Sequence, residues 1–344
     1  MLSPSPTSSI HVPLPVPTHP CAPPPRELNE REKAEYDRVL AHFANEGYVL
    51  PGESSNTGSL TEEERMWLSY ECILRYIRAT KHDVAASIKR LEDTLKWRRD
   101  CGLYDKVTAD LVEPEGVTGK EFLFGYDTSG RPGLYMCPSK QNTEESPRQI
   151  QYVVWNLERA IDLMGPGVET LVLLIDYADK AKNPSLTTSR TVLNIMQTHY
   201  PERLGTALVA HLPWLLQAFF KIIMSFADPV TRTKLLFGPV RDDRGLWRTA
   251  EDRDKGETDK PGVPNAKVFE LDQLVHDGWE GSQKFTYDHT IYWPALVEMC
   301  NTRRNDLIGV WRKLGGVIGI REWDVKMGLL GEEVVEEKVD QCPT

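Results

Sequence analysis

A hydroxyl group and an ammonium group lie three residues apart in the segment formed by residues 228–234. Asp228 is a favourable N-cap and Pro229 suits the first position of a helix, so the spacing predicts that Thr231 and Lys234 share one helical face. Backbone amides at a helix start favour an anion, and a hydroxyl beside an ammonium suits a phosphate diester. The pattern indicates a phosphate site, although an ordinary solvated Thr/Lys pair explains the same residues.

The preceding segment, residues 212–226, is apolar on almost every side. Its polar side chains, Gln217, Lys221 and Ser225, recur every four residues and form one narrow stripe, whereas an ordinary surface helix has a broad polar face. At about 1.5 Å per residue the helix is roughly 22 Å long, too short for about 30 Å of hydrocarbon. Two interpretations remain open: a helix buried in a core, or one wall of an apolar ligand cavity that also touches a membrane.

Signatures of an enzyme are missing from the sequence. No glycine-rich nucleotide loop follows a predicted strand, and no Gly-x-Ser-x-Gly elbow occurs. Asp176, at the end of an apolar run, is the residue type that binds a ribose or a metal, but one strand-end aspartate is weak evidence. The histidines lack metal-ligand spacing and the six cysteines include no CxxC pair. We therefore expect no catalytic site, cofactor or metal, with a nucleotide-dependent enzyme as the disfavoured alternative.

The amino-terminal third is predicted to be disordered and then helical. Residues 1–25 contain nine prolines and should be disordered or locally polyproline-like. A polar helix is predicted over residues 27–46. Thr61 and Glu64 form a capping box for a second helix that continues to residue 77. A third helix is capped by Asp83 and closed by Gly102.

Strands and helices alternate after residue 111, which predicts an α/β domain with a mostly parallel sheet. The predicted strands are residues 121–126, 133–137, 171–175 and 207–212, and the predicted helices are residues 148–164, 188–199 and 289–314. Residues 242–265 are charged and predict a surface insertion. Residues 316–344 form an acidic tail, predicted to be loose or to bind a partner.

Composition limits the class of protein. The formal net charge of −10 argues against nucleic-acid binding, which needs a basic surface. No run reaches the roughly 18 apolar residues of a membrane span, and the proline-rich start does not resemble a signal peptide. These features predict a soluble, cytoplasmic protein.

Several separated motifs resemble those of the CRAL-TRIO lipid-transfer family, and in particular its fungal phosphatidylinositol transfer proteins. Thr-His-Tyr-Pro-Glu-Arg-Leu-Gly at residues 198–205 precedes the apolar helix and the Asp-Pro-Val-Thr of residues 228–231. Residues 74–81 and 96–99 resemble the family's amino-terminal helical segment. Residues 141–143, 197–203 and 292–297 resemble the subgroup linked to azole resistance. The resemblance implies a helical CRAL-TRIO amino-terminal domain at residues 26–110 and a lipid-binding domain at residues 111–315.

The resemblance assigns roles to individual residues. It implies that residues 212–226 form a mobile gate helix over a lipid pocket floored by the sheet, with Trp214, Phe219, Phe220 and Ile223 among its apolar side chains. The implied phosphatidylinositol headgroup residues are Glu202, Thr231 and Lys234, together with Arg203 of the same Tyr-Pro-Glu-Arg motif, Asp127 before the Gly-Arg-Pro turn, and Lys81. The match to the family is incomplete next to Lys81, because Thr80 stands where the family has an arginine.

Four leucines depart from the family pattern. Members that also carry phosphatidylcholine line its headgroup site with hydroxyl-bearing side chains, and alignment puts Leu123, Leu134, Leu171 and Leu173 at those positions. Leucines offer no hydrogen bond to a phosphate, and burying an unpaired charge against them costs several kcal/mol. We therefore expect transfer of phosphatidylinositol without phosphatidylcholine, although the leucines could also be strand core with no ligand nearby.

The resemblance also implies partners. These are phosphatidylinositol, a membrane surface touched transiently by a peripheral protein, and lipid kinases to which the lipid is presented. The alternative function within the family is a sensor or carrier of a sterol or another hydrophobe.

Overall fold

A computed structural model describes residues 9–54, 57–179, 185–213, 222, 225–226, 229–241, 247–249 and 269–331. The chain divides into two units, the first comprising Met1–Val16, Val107–Met164 and Glu169–Cys300, and the second Pro17–Lys106, Gly165–Val168 and Asn301–Thr344. The α-helices are α1 (Glu30–Phe43), α2 (Glu62–Trp67), α3 (Tyr70–Ala79), α4 (Val84–Cys101), α5 (Ala109–Gly116), α6 (Pro147–Asp162), α7 (Leu186–His199), α8 (Pro229–Thr233), α9 (His289–Lys313) and α10 (Glu322–Met327). The strands are β1 (Glu121–Tyr126), β2 (Pro132–Met136), β3 (Leu171–Asp176), β4 (Leu204–Ala210), β5 (Leu235–Phe237), β6 (Pro239–Arg241) and β7 (Trp247–Thr249). Two short 3-10 helices span Pro138–Lys140 and Leu271–Gln273.

Side-chain caps set the helix boundaries in the second unit. Thr61 and Glu64 form the predicted capping box at the start of α2, and Asp83 caps α4 as predicted. Gly102 adopts the left-handed conformation and ends α4. The single helix predicted from Thr61 to residue 77 is wrong, because Ser69 caps a backbone amide three residues later and starts α3 as a separate helix.

The acidic tail, expected to be loose, begins with the ordered helix α10. Its Glu322 carboxylate accepts hydrogen bonds from Arg75 Nη2 at 2.8 Å and from Ser69 Oγ at 2.7 Å. The Glu322 amide donates to Glu71 Oε2 at 2.6 Å, and Val325 is buried. The expectation of a loose tail is wrong for α10, because Glu322 is paired and Val325 is covered.

One five-stranded sheet in the order β1-β2-β3-β4-β5 forms the floor of the first unit. β1 and β2 pair antiparallel, whereas β2 with β3, β3 with β4, and β4 with β5 pair parallel. The helix α6 connects β2 to β3, and α7 connects β3 to β4. The predicted α/β class, a helical amino-terminal region followed by a mostly parallel sheet, is confirmed.

Aromatic side chains cover one face of this sheet. Phe122 and Tyr135 are cross-strand partners whose rings stack with centroids 4.8 Å apart, and Phe285 stacks on Phe122 at 4.8 Å. Tyr135 Oη accepts a hydrogen bond from Val275 N at 3.3 Å. The side chains of alternate strand residues therefore point to the opposite face.

The edge strand β1 contains a bulge. Its pairing with β2 shifts between Leu123 and Tyr126, where Gly125 has φ 66°. A Cβ atom on Gly125 would lie 1.9 Å from Gln273 O, so only glycine fits. Tyr292 Oη accepts from Leu123 N and donates to Leu123 O, both at 2.7 Å, and Gln273 Oε1 accepts from Tyr126 N at 3.3 Å.

Two segments of unusual composition are partly described. Residues 1–8 lie outside the described residues, but Ile10 forms a β-bridge with Phe285 and His11 Nδ1 lies 2.8 Å from Thr286 O. The disorder predicted for residues 1–25 is therefore wrong for Ile10 and His11.

The charged insertion at residues 242–265 lies outside the described residues except for β7, which pairs antiparallel with β6.

Candidate ligand-binding site

Three of the segments that carry predicted headgroup residues meet at one edge of the sheet. Asp127 lies in the turn that leads into β2, Glu202 and Arg203 immediately precede β4, and Lys234 immediately precedes β5. Because β2 to β5 run parallel, the residues before each strand lie together at the amino-terminal ends of these strands. This end of the sheet is here called the amino edge.

Lys234 directs its ammonium group toward the first residue of β4. Its Nζ donates to Leu204 O at 2.6 Å, and its carbonyl accepts from Ala207 N at 2.9 Å. The predicted common helical face with Thr231 is wrong, because α8 ends at Thr233 and Lys234 lies in the following turn. The two residues remain adjacent, since Lys234 N donates to Thr231 O at 3.1 Å.

Glu202 and Arg203 have different environments despite being neighbours. Glu202 is exposed and has φ 58°, a left-handed conformation that is uncommon for a residue with a side chain. Arg203 is buried, and its Nη1 donates to Glu169 O at 2.9 Å. This contact ties the start of β4 to the residues before β3. Arg203 therefore supports the amino edge, and a direct ligand contact stays a prediction.

Asp127 is buried in the turn between β1 and β2, where it accepts hydrogen bonds from Ser129 N at 2.9 Å and Arg131 N at 2.8 Å. Arg131 Nε donates to it at 2.6 Å. Burial raises the pKa of the Asp127 carboxyl above its ordinary value, and the charge and hydrogen bonds of Arg131 oppose that change. Arg131 was not among the predicted site residues. The signal that could have identified it is Asp127, an acidic residue four positions earlier in the same tight turn.

Arg131 also reaches the start of β4. A Cβ atom on Gly205 would lie 2.6 Å from Arg131 Nη1 and 2.8 Å from Thr170 Oγ1. The glycine of the Tyr-Pro-Glu-Arg-Leu-Gly motif therefore leaves room for the guanidinium beside the β4 backbone. The amino edge thus holds the cations of Arg131, Arg203 and Lys234.

The four leucines occupy the sheet face opposite the aromatic rings. Leu123 is the cross-strand partner of Leu134, and Leu134 is the partner of Leu173, so the three form a row across β1, β2 and β3. Leu171 lies two residues before Leu173 and points the same way. Leu123, Leu134 and Leu171 are buried, whereas Leu173 retains part of its surface. The row forms an apolar floor next to the amino edge.

The remaining predicted residues lie elsewhere. Trp214, Phe219, Phe220 and Ile223, the predicted gate side chains, lie outside the described residues, as does Asp228. Lys81 belongs to the second unit, where it follows α3 with φ 55°. Within the described part of the chain, no helix is long and apolar enough to cross a membrane, and no cluster of metal-ligating side chains occurs.

The chain is similar to several known proteins. The family model for the CRAL/TRIO domain matches residues 117–246, and that for the CRAL/TRIO amino-terminal domain matches residues 35–93. The CRAL-TRIO domain-containing protein C23B6.04c of Schizosaccharomyces pombe is 43% identical over 97% of this chain, although the chain spans only 31% of that relative's length. The phosphatidylinositol transfer protein PDR17 of Saccharomyces cerevisiae is 35% identical over 87% of this chain and 84% of its own. The crystal structure of Sfh5 aligns with 76% of this chain and 96% of that chain, at 17% identity and a TM-score of 0.44. The chain belongs to the CRAL-TRIO family.

Proposed function

We propose that this chain binds phosphatidylinositol in an apolar pocket and transfers or presents it between membranes, acting as a carrier and not as an enzyme. The observation that carries the proposal is the amino edge, where Asp127, Glu202 and Lys234 come from three separate segments and border the leucine floor. The 35% identity to a protein named as a phosphatidylinositol transfer protein supports it. In this proposal residues 111–315 form the lipid-binding domain and residues 26–110 its helical neighbour.

The chemistry of the amino edge suits an inositol phosphate headgroup. An ammonium such as that of Lys234 forms charge-assisted hydrogen bonds with a phosphate diester, and Thr231 offers a hydroxyl. The exposed Glu202 carboxylate is an acceptor for inositol hydroxyls. Acyl chains would lie over the leucine row. Because those leucines cannot hydrogen-bond a phosphocholine group, phosphatidylcholine should not be exchanged.

The test is transfer of labelled phosphatidylinositol between vesicles by the Lys234→Ala variant. A hydrogen bond to a charged group contributes about 1.5–3 kcal/mol, so we expect a loss of roughly tenfold or more. Lys89→Ala is the matched control, because Lys89 is an exposed lysine of α4 that pairs with Asp93. Transfer by a folded Lys234→Ala protein at the wild-type rate would refute the headgroup assignment.

A second candidate function is a carrier of a sterol or another hydrophobe, which the uninterrupted leucine row favours. Incubation of the protein with permeabilised cells, followed by mass spectrometry of the lipids that copurify, distinguishes the two. Phosphatidylinositol as the main bound lipid supports the first function, whereas a sterol without phosphatidylinositol supports the second.

Membrane contact in this proposal is transient and peripheral, from the cytoplasmic side. Two apolar side chains, Ile222 and Phe226, are exposed by 47% and 43%, which supports contact with a lipid surface. Sedimentation with vesicles should therefore weaken in an Ile222→Asp, Phe226→Asp variant. Presentation of the lipid to a kinase would be detected as faster phosphorylation of vesicle phosphatidylinositol when the protein is added.

A further inference from the structure

A second row of side chains crosses the same sheet face near the carboxyl ends of the parallel strands. Glu121 is the cross-strand partner of Met136, and Met136 is the partner of Ile175. These residues lie two positions from Leu123, Leu134 and Leu173, so they point to the leucine face. All three members of this second row retain part of their surface, whereas Val172 and Leu174 on the aromatic face retain none. The leucine face is therefore incompletely covered at this end.

Glu121 is the one ionisable member of the row and has a single side-chain partner among the described residues. Asn156 Nδ2, from α6, donates to Glu121 Oε2 at 2.9 Å. The adjacent Lys120 does not pair with it, because its ammonium lies 2.5 Å from Glu115 Oε2. Burial raises the pKa of Glu121 to about 7 although part of its surface is accessible. The carboxyl is therefore poorly solvated, although the described residues do not cover Glu121 completely.

We propose that Glu121 and Asn156 form a second polar subsite, which binds the hydroxyl group of an apolar alcohol lying along the leucine floor. The occupant is identified by complementarity. A carboxyl and an amide bind a hydroxyl, whereas the subsite offers no cation to a phosphate or carboxylate ligand, because the neighbouring Lys120 is already paired with Glu115. Leu171 and Ile175 are four residues apart, so the subsite lies about 13 Å from the amino edge and does not compete for an inositol headgroup. The inference rests on the proposed function only in taking the leucine face as a ligand site.

The test compares a fluorescent sterol, dehydroergosterol, with its 3-acetate, which keeps the apolar body and blocks the hydroxyl. Binding is followed by energy transfer from the protein's tryptophans. We expect the wild-type protein to bind the free alcohol about tenfold more tightly than the acetate, because the acetate has no hydroxyl to donate to the Glu121 carboxyl. Glu121→Leu should abolish this preference while still binding the acetate, and Glu121→Gln, which can still hydrogen-bond, should keep most of it. Glu144→Leu, at an exposed glutamate, is the matched control.

Equal wild-type affinity for alcohol and acetate overturns the proposal without any variant. An unchanged preference in folded Glu121→Leu also overturns it. If Glu121→Leu fails to fold, the Glu121→Gln and wild-type measurements decide. Phosphatidylinositol transfer by the wild-type protein is measured separately. Its absence together with a retained preference for the alcohol counts against the proposed function and not against this subsite.

Discussion

Replacing Glu121 by glutamine should change how the stability of the protein depends on pH. Burial raises the pKa of Glu121 from 4.5 to about 7. At about 1.36 kcal/mol for each pH unit between the two values, the ionised carboxylate destabilises the folded state by roughly 3 kcal/mol. Glutamine has the same shape, keeps an oxygen that accepts from Asn156 Nδ2, and cannot ionise.

The sign of the effect follows from proton binding. Because the folded pKa lies above the unfolded one, the folded protein binds more protons between about pH 4.5 and pH 7, and its free energy of unfolding falls as the pH rises through that window. We therefore expect Glu121→Gln to exceed the wild type by roughly 2–3 kcal/mol at pH 8 and by much less at pH 5.

Urea denaturation followed by tryptophan fluorescence at both pH values measures this difference. Glu71, whose pKa burial also raises to about 7, contributes to the pH dependence of both proteins and cancels when they are compared. Glu144→Gln, at an exposed glutamate, should show the wild-type pH dependence. If the free energies of unfolding of Glu121→Gln and the wild type differ by the same amount at pH 5 and pH 8, the reasoning is refuted.

Three further perturbations test other parts of the molecule. Vesicle assays should detect no phosphatidylcholine transfer by the wild type and some transfer by Leu171→Ser with Leu173→Thr; efficient wild-type transfer contradicts the leucine argument. Thr61→Ala removes half of the α2 capping box and should lower the free energy of unfolding by about 1 kcal/mol, whereas an unchanged urea midpoint would show that the cap contributes nothing. Arg131→Met leaves Asp127 buried without its cation and should cost about 3 kcal/mol in the same assay; a loss below about 1 kcal/mol would mean that the pair is not essential to the turn.

Local signals in the sequence predicted most helices and strands but not the strand that orients Lys234. β5 has only three residues, too few for a period of two to be recognised. It forms because Ala207, Leu208 and Val209 of β4 provide a hydrogen-bonding edge, which is tertiary information. Without β5, Lys234 was interpreted as a helical residue, although the proximity to Thr231 was still found.

The amino edge could be predicted only in part for a similar reason. Resemblance selected Asp127, Glu202 and Lys234, but the strand register decides which segments meet. Arg131 gains its importance from Gly205, which is 74 positions away in the chain and leaves room for the guanidinium. Glu121 looks like an ordinary polar residue at a strand start until its pairing with Met136 assigns it to the leucine face.

The bulged edge strand β1 bears on self-association. A sheet edge with free amides and carbonyls is a template on which a second chain can add a strand, and such addition begins many aggregates. Here the Gly125 bulge bends the edge, and Tyr292 Oη and Gln273 Oε1 occupy the backbone groups of Leu123 and Tyr126 that an incoming strand would need. A sheet with a large apolar face thus has an edge strand that resists fibril-like growth.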